Sequence, residues 1–117
     1  MTQIQRFHLT KRYSEAAIYN NVVYLAGQVP ENSDNEVYAQ TQEVLGLIDK
    51  LLSEANSDKS RILSCQIFLA DMKDYVEMNR AWDEWVATNN APPRACVEAK
   101  LADPKWKVEI VVTAAIK

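Results

Sequence analysis

Only one histidine, two cysteines and two glycines occur among these 117 residues, and each scarcity removes a class of chemistry. His8 lies in a polar N-terminal stretch and reads as a solvent-facing side chain. A Ser-His-Asp set or a Cys-His pair would need a histidine that this chain does not offer. Cys65 and Cys96 have no CxxC partner, so neither a disulfide framework nor a zinc site is expected. With Gly27 and Gly46 alone, no glycine-rich loop can cradle a phosphate. Positive charge is also short: 13 Lys and Arg stand against 16 Asp and Glu, a net charge of −3. The basic residues are scattered apart from Lys11-Arg12 and Lys105/Lys107, so no nucleic acid is expected as a partner. No long apolar run marks a membrane span and no leader pattern stands at the start. The expectation is a cytoplasmic chain with reduced thiols, no metal and no cofactor.

What is present fits one domain, residues 1–117, with 48% hydrophobic and 25% charged residues. Gln3 to Thr10 alternates weakly and reads as an edge strand, and Glu15 to Asn20 as a second. Asn20-Asn21 is a turn signal. Val22 to Gln28 is β-branched and aromatic and reads as a buried strand, ended by Gly27 where a side chain would be in the way. Ser33-x-x-Glu36 has the form of a capping box before a helix reaching about Ala55. The apolar stripe of that helix is Val37, Val44, Leu45, Ile48, Leu51, Leu52 and Ala55. Asn56-Ser57-Asp58 breaks it. Ile62 to Ala70 reads as an interior strand, with Leu63, Cys65, Ile67 and Leu69 on one face. Asp71 can cap a second helix from Lys73 to about Thr88, whose Tyr75, Val76, Met78, Trp82, Trp85 and Val86 read as core or subunit contacts.

The stretch Ala91-Pro92-Pro93-Arg94-Ala95-Cys96-Val97-Glu98 is the one with chemical character. Two prolines stiffen and extend the chain entering Arg94. Alternation then puts Ala95, Val97, Ala99 and Leu101 on one face and Arg94, Cys96, Glu98 and Lys100 on the other. An arginine at a rigid strand mouth is either a receptor for a carboxylate or an ordinary surface ion pair. A last strand, Val108 to Ile116, carries Glu109 opposite its apolar face. Residues 102–106 could close a simple hairpin, which would put Glu109 opposite Glu98 and about 13 Å along the strand from Arg94.

These residues also carry a resemblance. Pro-x-Arg-x-Cys-Val-Glu, followed by Lys107-Val108-Glu109-Ile110, is similar to the RidA/YjgF family of imine deaminases. Arg12-Tyr13-Ser14-Glu15, the run from Asn21 to Pro30, and Asn79-Arg80-Ala81-Trp82 match in the same order over almost the whole chain. Within the family the chain most resembles the short, YoaB-like branch. The resemblance implies an α+β, chorismate-mutase-like fold: a mixed six-stranded sheet with two helices on one face. The last strand would run antiparallel between Val22–Gln28 and Ile62–Ala70, with the Arg94 strand at the edge. It further implies a homotrimer with ligand clefts between subunits.

The activity it implies is hydrolysis of reactive 2-imino acids to 2-oxo acids and ammonia. Carried over residue by residue, Arg94 would bind the substrate carboxylate and Glu109 would orient or deprotonate water. Tyr13 would line the cleft, the backbone around Cys96 would hold water or the imine nitrogen, and Gly27 and Asn79 would lie beside the ligand. Where the family has a small hydroxyl residue before the glycine, this chain has Ala26. That departure keeps open an alternative: a non-catalytic protein that binds 2-oxo acids in the same cleft. Taken by themselves, Cys96 is a small buried hydrophobe, Tyr13 a strand-edge aromatic, and Glu109 a strand carboxylate paired with Lys107 or Lys100. Glu98 reads as structural or interfacial.

Overall fold

A computed structural model describes residues 3–117. Its strands are β1 (Gln5–Phe7), β2 (Ala16–Tyr19), β3 (Val22–Leu25), β4 (Ile62–Leu69), β5 (Arg94–Glu98) and β6 (Val108–Ala115). Helix α1 spans Val37–Glu54 and α2 spans Tyr75–Trp85. The sheet order is β1-β2-β3-β6-β4-β5. β6 runs antiparallel between β3 and β4, while β5 pairs with β4 alone and in parallel. The local hairpin between the last two strands is therefore excluded, and the arrangement implied by the resemblance holds. Burial explains the choice. Val108, Ile110, Val112 and Ala114 are all buried, which suits an interior strand, whereas Ala95 and Val97 of β5 remain exposed at the edge.

The core lies between one face of the sheet and the two helices. Val23, Leu25, Ile67, Leu69 and the alternate residues of β6 meet Val44, Leu45, Ile48 and Leu52 of α1 and Met78 and Trp82 of α2. Among the described residues, no helix covers the opposite face. Tyr19, Tyr24, Val97 and half-buried Phe68 and Val111 lie along it.

Several local expectations are corrected. β1 is only three residues long, because His8 takes a left-handed backbone with φ of 52°. The Ser33-Glu36 box is not formed: α1 begins after Glu36 with no side-chain cap. The fully buried Gln40 amide instead clasps the chain around the start of α1: its NH2 lies 3.0–3.2 Å from the carbonyls of Ser33, Asn35 and Lys105, between which its two hydrogens are shared, and its oxygen accepts from the Lys107 N–H at 2.8 Å. Asp71 does cap, but what it caps is a one-turn 3-10 segment at Met72–Asp74, and α2 ends at Trp85. Tyr75 and Val76 are exposed, so of the two readings, core or subunit contact, the core one falls for them. A bulge at Ile62–Ser64 shifts the phase of β4, so Ile62 is buried and Leu63 exposed.

The turn signals hold. Asn20 and Asn21 have φ of 52° and 65°, as a two-residue hairpin turn requires. Helix α1 ends in a Schellman motif: Asn56 has φ of 60°, its N–H bonds the Ser53 carbonyl, and the Ser57 N–H bonds that of Leu52. Asp58 then accepts from the Ser60 N–H and hydroxyl, and these bonds hold its carboxyl below the usual range.

Gln40→Ala would leave three carbonyls and one N–H without that partner inside the fold. The expected cost is about 2–4 kcal/mol, read by urea denaturation. A loss below about 0.5 kcal/mol would show that water replaces the amide fully.

Candidate functional site

Glu109 follows buried Val108 on β6, so its side chain points to the helix-free face, opposite Phe68 of β4. Its carboxylate occupies space that only a glycine leaves open. A Cβ built on Gly27 would lie 2.1 Å from Glu109 Oε2. Backbone bonds in both directions between Gln28 and Ile110 hold the two segments together, at 2.9 and 3.1 Å. Glu109 and Gly27 then share a cavity of about 600 Å3 with Tyr13, Ala26, Leu47 and Trp106. Thr10 fixes the loop that carries Tyr13, its hydroxyl accepting from the Tyr13 N–H at 3.1 Å. A hollow of about 570 Å3 lies alongside, behind Ala102 and Trp106; Glu98 lines it, and none of the predicted site residues does.

Arg94 lies elsewhere. In the parallel register it pairs with buried Cys65, so its side chain faces the helices. The stiff lead-in is tied down by the Cys65 N–H, which bonds the Pro93 carbonyl at 3.0 Å. The guanidinium donates to Asn79 Oδ1 at 2.8 Å and lies 5.0 Å from the Trp82 ring centroid. Its contact to the Tyr75 hydroxyl is long, 3.4 Å. Asn79 and Trp82 sit three residues apart on α2, one face of one turn, which is why the Asn-x-x-Trp spacing serves a single side chain. Cys96 follows two residues on, on the same face of β5.

Within one chain the expected residues thus fall into two groups. Tyr13, Gly27 and Glu109 are together; Arg94, Asn79 and Cys96 are together; the sheet separates Arg94 from Glu109. Glu98, conspicuous in the motif, accepts from the Met72 N–H at 2.8 Å and anchors the entry to α2. Reading the sequence did not find Glu15, Glu31, Leu47 or Trp106 in the cavity wall, nor the Gln40 clasp. A glutamine within the apolar stripe of α1 was the available signal for the clasp.

Among the described residues, no three His, Cys, Asp or Glu side chains gather as a metal site, and no helix is long and apolar enough to cross a membrane. Burial pushes the Cys65 thiol up to about 12. Burial raises Cys96 as well, against the opposing field of Arg94. Neither thiol is prepared as a nucleophile.

Comparison with known proteins agrees with the fold. Residues 3–116 match the family model described as Endoribonuclease L-PSP. A RutC family protein of Haemophilus ducreyi is 63% identical over 113 residues, covering 97% of each chain. The RutC family protein YoaB of Escherichia coli is 46% identical over 113 residues, covering 97% of this chain and 98% of its own. A crystal structure of a YjgF-family member from Neisseria meningitidis superposes with a TM-score of 0.96 at 50% identity, covering 98% of this chain and 96% of that one.

Two outcomes follow from the local geometry. Gly27→Ala should change stability by less than about 1 kcal/mol, because the backbone there is unstrained and the clash is with the end of a flexible side chain. A much larger loss in thermal unfolding would mean Glu109 cannot move. Secondly, an unfolded thiol ionises near 9 while folded Cys65 holds its proton to about 12. Unfolding therefore releases a proton between those values, and stability should fall as pH rises through that window. A Cys65→Ala variant with an unchanged alkaline limb would contradict this.

Proposed function

The chain belongs to the endoribonuclease L-PSP family, the RidA/YjgF proteins, and from that premise we propose that it hydrolyses reactive 2-imino acids to 2-oxo acids and ammonia. The observation that carries this reading is the carboxylate of Glu109 set into the space beside Gly27, in a cavity with Tyr13. A carboxylate in a pocket wide enough for a small metabolite is what water activation needs. The anion-binding half, Arg94 with Asn79, stands at the exposed sheet edge of the same chain. We propose that a homotrimer brings the edge of one copy to the cavity of the next, the open apolar face supplying contact area.

In that cleft Arg94 binds the substrate carboxylate through two parallel N–H bonds, for which its planar fork is shaped. The protonated imine carbon is electrophilic, so the site has mainly to place water. Glu109 takes a proton from the water as its oxygen bonds to that carbon, giving a carbinolamine. Glu109 returns that proton to nitrogen and takes the hydroxyl proton as the carbinolamine collapses, so that ammonia leaves and the 2-oxo acid remains. The carbon keeps its oxidation state, so the reaction draws on no redox partner. Tyr13 and the backbone around Cys96 complete the walls. The net charge of −3 and the scattered lysines and arginines give RNA cleavage little support. A cytoplasmic setting suits a chain whose two thiols are free.

Ala26 favours a second reading. It lines the cavity where the resemblance leads one to expect a hydroxyl, and without that contact the cleft would bind 2-oxo acids and not turn imines over.

Imines made in situ by an amino-acid oxidase, with 2-oxo acid formation followed against the uncatalysed background, separate the two. Arg94→Ala should lower 2-oxo acid affinity and turnover together, about tenfold to a few hundredfold. Glu109→Gln should leave binding nearly intact and slow turnover by up to about 10²–10⁴-fold. Binding with no acceleration of any imine would establish the second reading. Normal turnover by Glu109→Gln would remove Glu109 as the base.

A further inference from the structure

Among the described residues the buried polar side chains are Gln28, Gln40, Thr41 and Ser57. Three of them have plain structural work. Gln40 clasps the start of α1, the Thr41 hydroxyl donates to the Val37 carbonyl at 2.7 Å, and the Ser57 hydroxyl donates to that of Ala115 at 2.6 Å. Gln28 is only half engaged. It is 5% exposed, and its NH2 donates to the Ala26 carbonyl at 3.0 Å. That bond settles which way the amide points, since a carbonyl accepts only from the NH2 end. The amide oxygen, turned the other way, takes a hydrogen bond from none of the described residues. Nor is it sealed in. No fully enclosed side-chain oxygen or nitrogen lacks a partner here, so this one opens onto free space. That space is the cavity of Glu109, whose wall Gln28 joins. A buried amide oxygen without a donor is costly unless the contents of the cavity supply one.

The nucleophile of imine hydrolysis is such a donor. A water that attacks carbon through one lone pair has two O–H groups to place, and two acceptors hold it in line. Glu109 is one of them. We infer that Gln28 is a positioning residue, its amide oxygen holding the second hydrogen of the water that Glu109 deprotonates. As the water oxygen bonds to the imine carbon, one proton passes to Glu109 and the other stays on oxygen as the carbinolamine hydroxyl. The two acceptors come from bridged segments, because Gln28 pairs with Ile110, the residue after Glu109. β2 begins at Ala16, opposite Leu25, so no strand lies beside Gly27 and Gln28 on that side. The cavity there reaches from Leu47 on the helix side to Glu109 on the other. Both acceptors belong to one chain, so the pair exists before any neighbouring copy closes the cleft. The inference rests on the imine-hydrolase reading and deepens it, giving the cleft a polar contact that Ala26 does not offer.

Gln28→Met and Gln28→Glu test this, with pyruvate binding measured beside turnover of the alanine-derived imine that an amino-acid oxidase makes in situ. Both variants lose the NH2 that serves the Ala26 carbonyl, and only Gln28→Met also loses the acceptor. Gln28→Met should lower kcat about ten- to a hundredfold while the dissociation constant for pyruvate changes by less than about twofold. Gln28→Glu, with acceptor oxygens at the same reach, should stay at least about fivefold more active than Gln28→Met. A merely structural role would move the two variants alike and would carry binding down with turnover. Thermal unfolding checks each fold, and Gln28→Leu carries the same comparison should Gln28→Met not fold. Native turnover without the acceptor overturns the assignment and leaves the hydrolase reading standing. Equal losses in the two variants, or a loss of pyruvate binding that tracks kcat, overturn it as well. If the unaltered protein accelerates no imine, the hydrolase reading and this inference fall together.

Discussion

Glu109 and the missing side chain of Gly27 share one volume, and much of the molecule serves to bring them there. The contact exists because β6 pairs with the chain just beyond β3, through the two backbone bonds between Gln28 and Ile110. That pairing in turn needs β6 to enter the sheet between β3 and β4. Such an insertion requires a strand apolar enough to be buried along its whole length, and the alternation from Val108 to Ala114 supplies it. Gln40 adds the second constraint. By holding the Lys105 carbonyl and the Lys107 N–H, it fixes the approach to β6 and with it the wall formed by Trp106.

The same insertion displaces β5 to the edge. An edge strand led in by two prolines is stiff but uncovered, and its outward residues Ala95 and Val97 stay exposed. Arg94 is therefore held on the helix side by Asn79 and Trp82 while Glu109 looks out from the other face. Strand alternation makes this separation unavoidable within one chain. A cleft that uses both residues has to be assembled from more than one copy. On this view the trimer, proposed above, completes the site as well as covering the edge.

Much of this was legible in the sequence, for physical reasons that differ by element. The two asparagines at 20 and 21 announced a left-handed turn, and the three- and four-residue spacing from Val44 to Leu52 announced α1 and its buried face. Strand partners were not legible from alternation. Residues 102–106 permit a hairpin, and only the resemblance pointed to β6 in the middle, because pairing depends on which strand can be buried on a three-dimensional scale. The bulge that exchanges Ile62 for Leu63 likewise leaves no mark in local pattern. Of the site, Arg94, Asn79 and Glu109 were visible through their motifs, and Gly27 through the need for close approach. Glu15 and Glu31 were not. They belong to no spacing, and they converge only because a strand end and a loop clamped by Glu43 meet at the same cavity.

If one cleft draws Arg94 and Glu109 from different copies, chains altered at one residue or the other should complement each other when mixed. Arg94→Ala and Glu109→Gln chains, each nearly inactive alone, are unfolded together and refolded at equal concentration. In a closed ring where each cleft joins the Arg94 edge of one copy to the Glu109 cavity of the next, about one cleft in four would carry both native residues. Recovery of about a quarter of the native imine-hydrolysis rate is expected. No recovery, with the mixed assembly shown to form, would mean that both residues act within one chain, and would contradict the shared cleft.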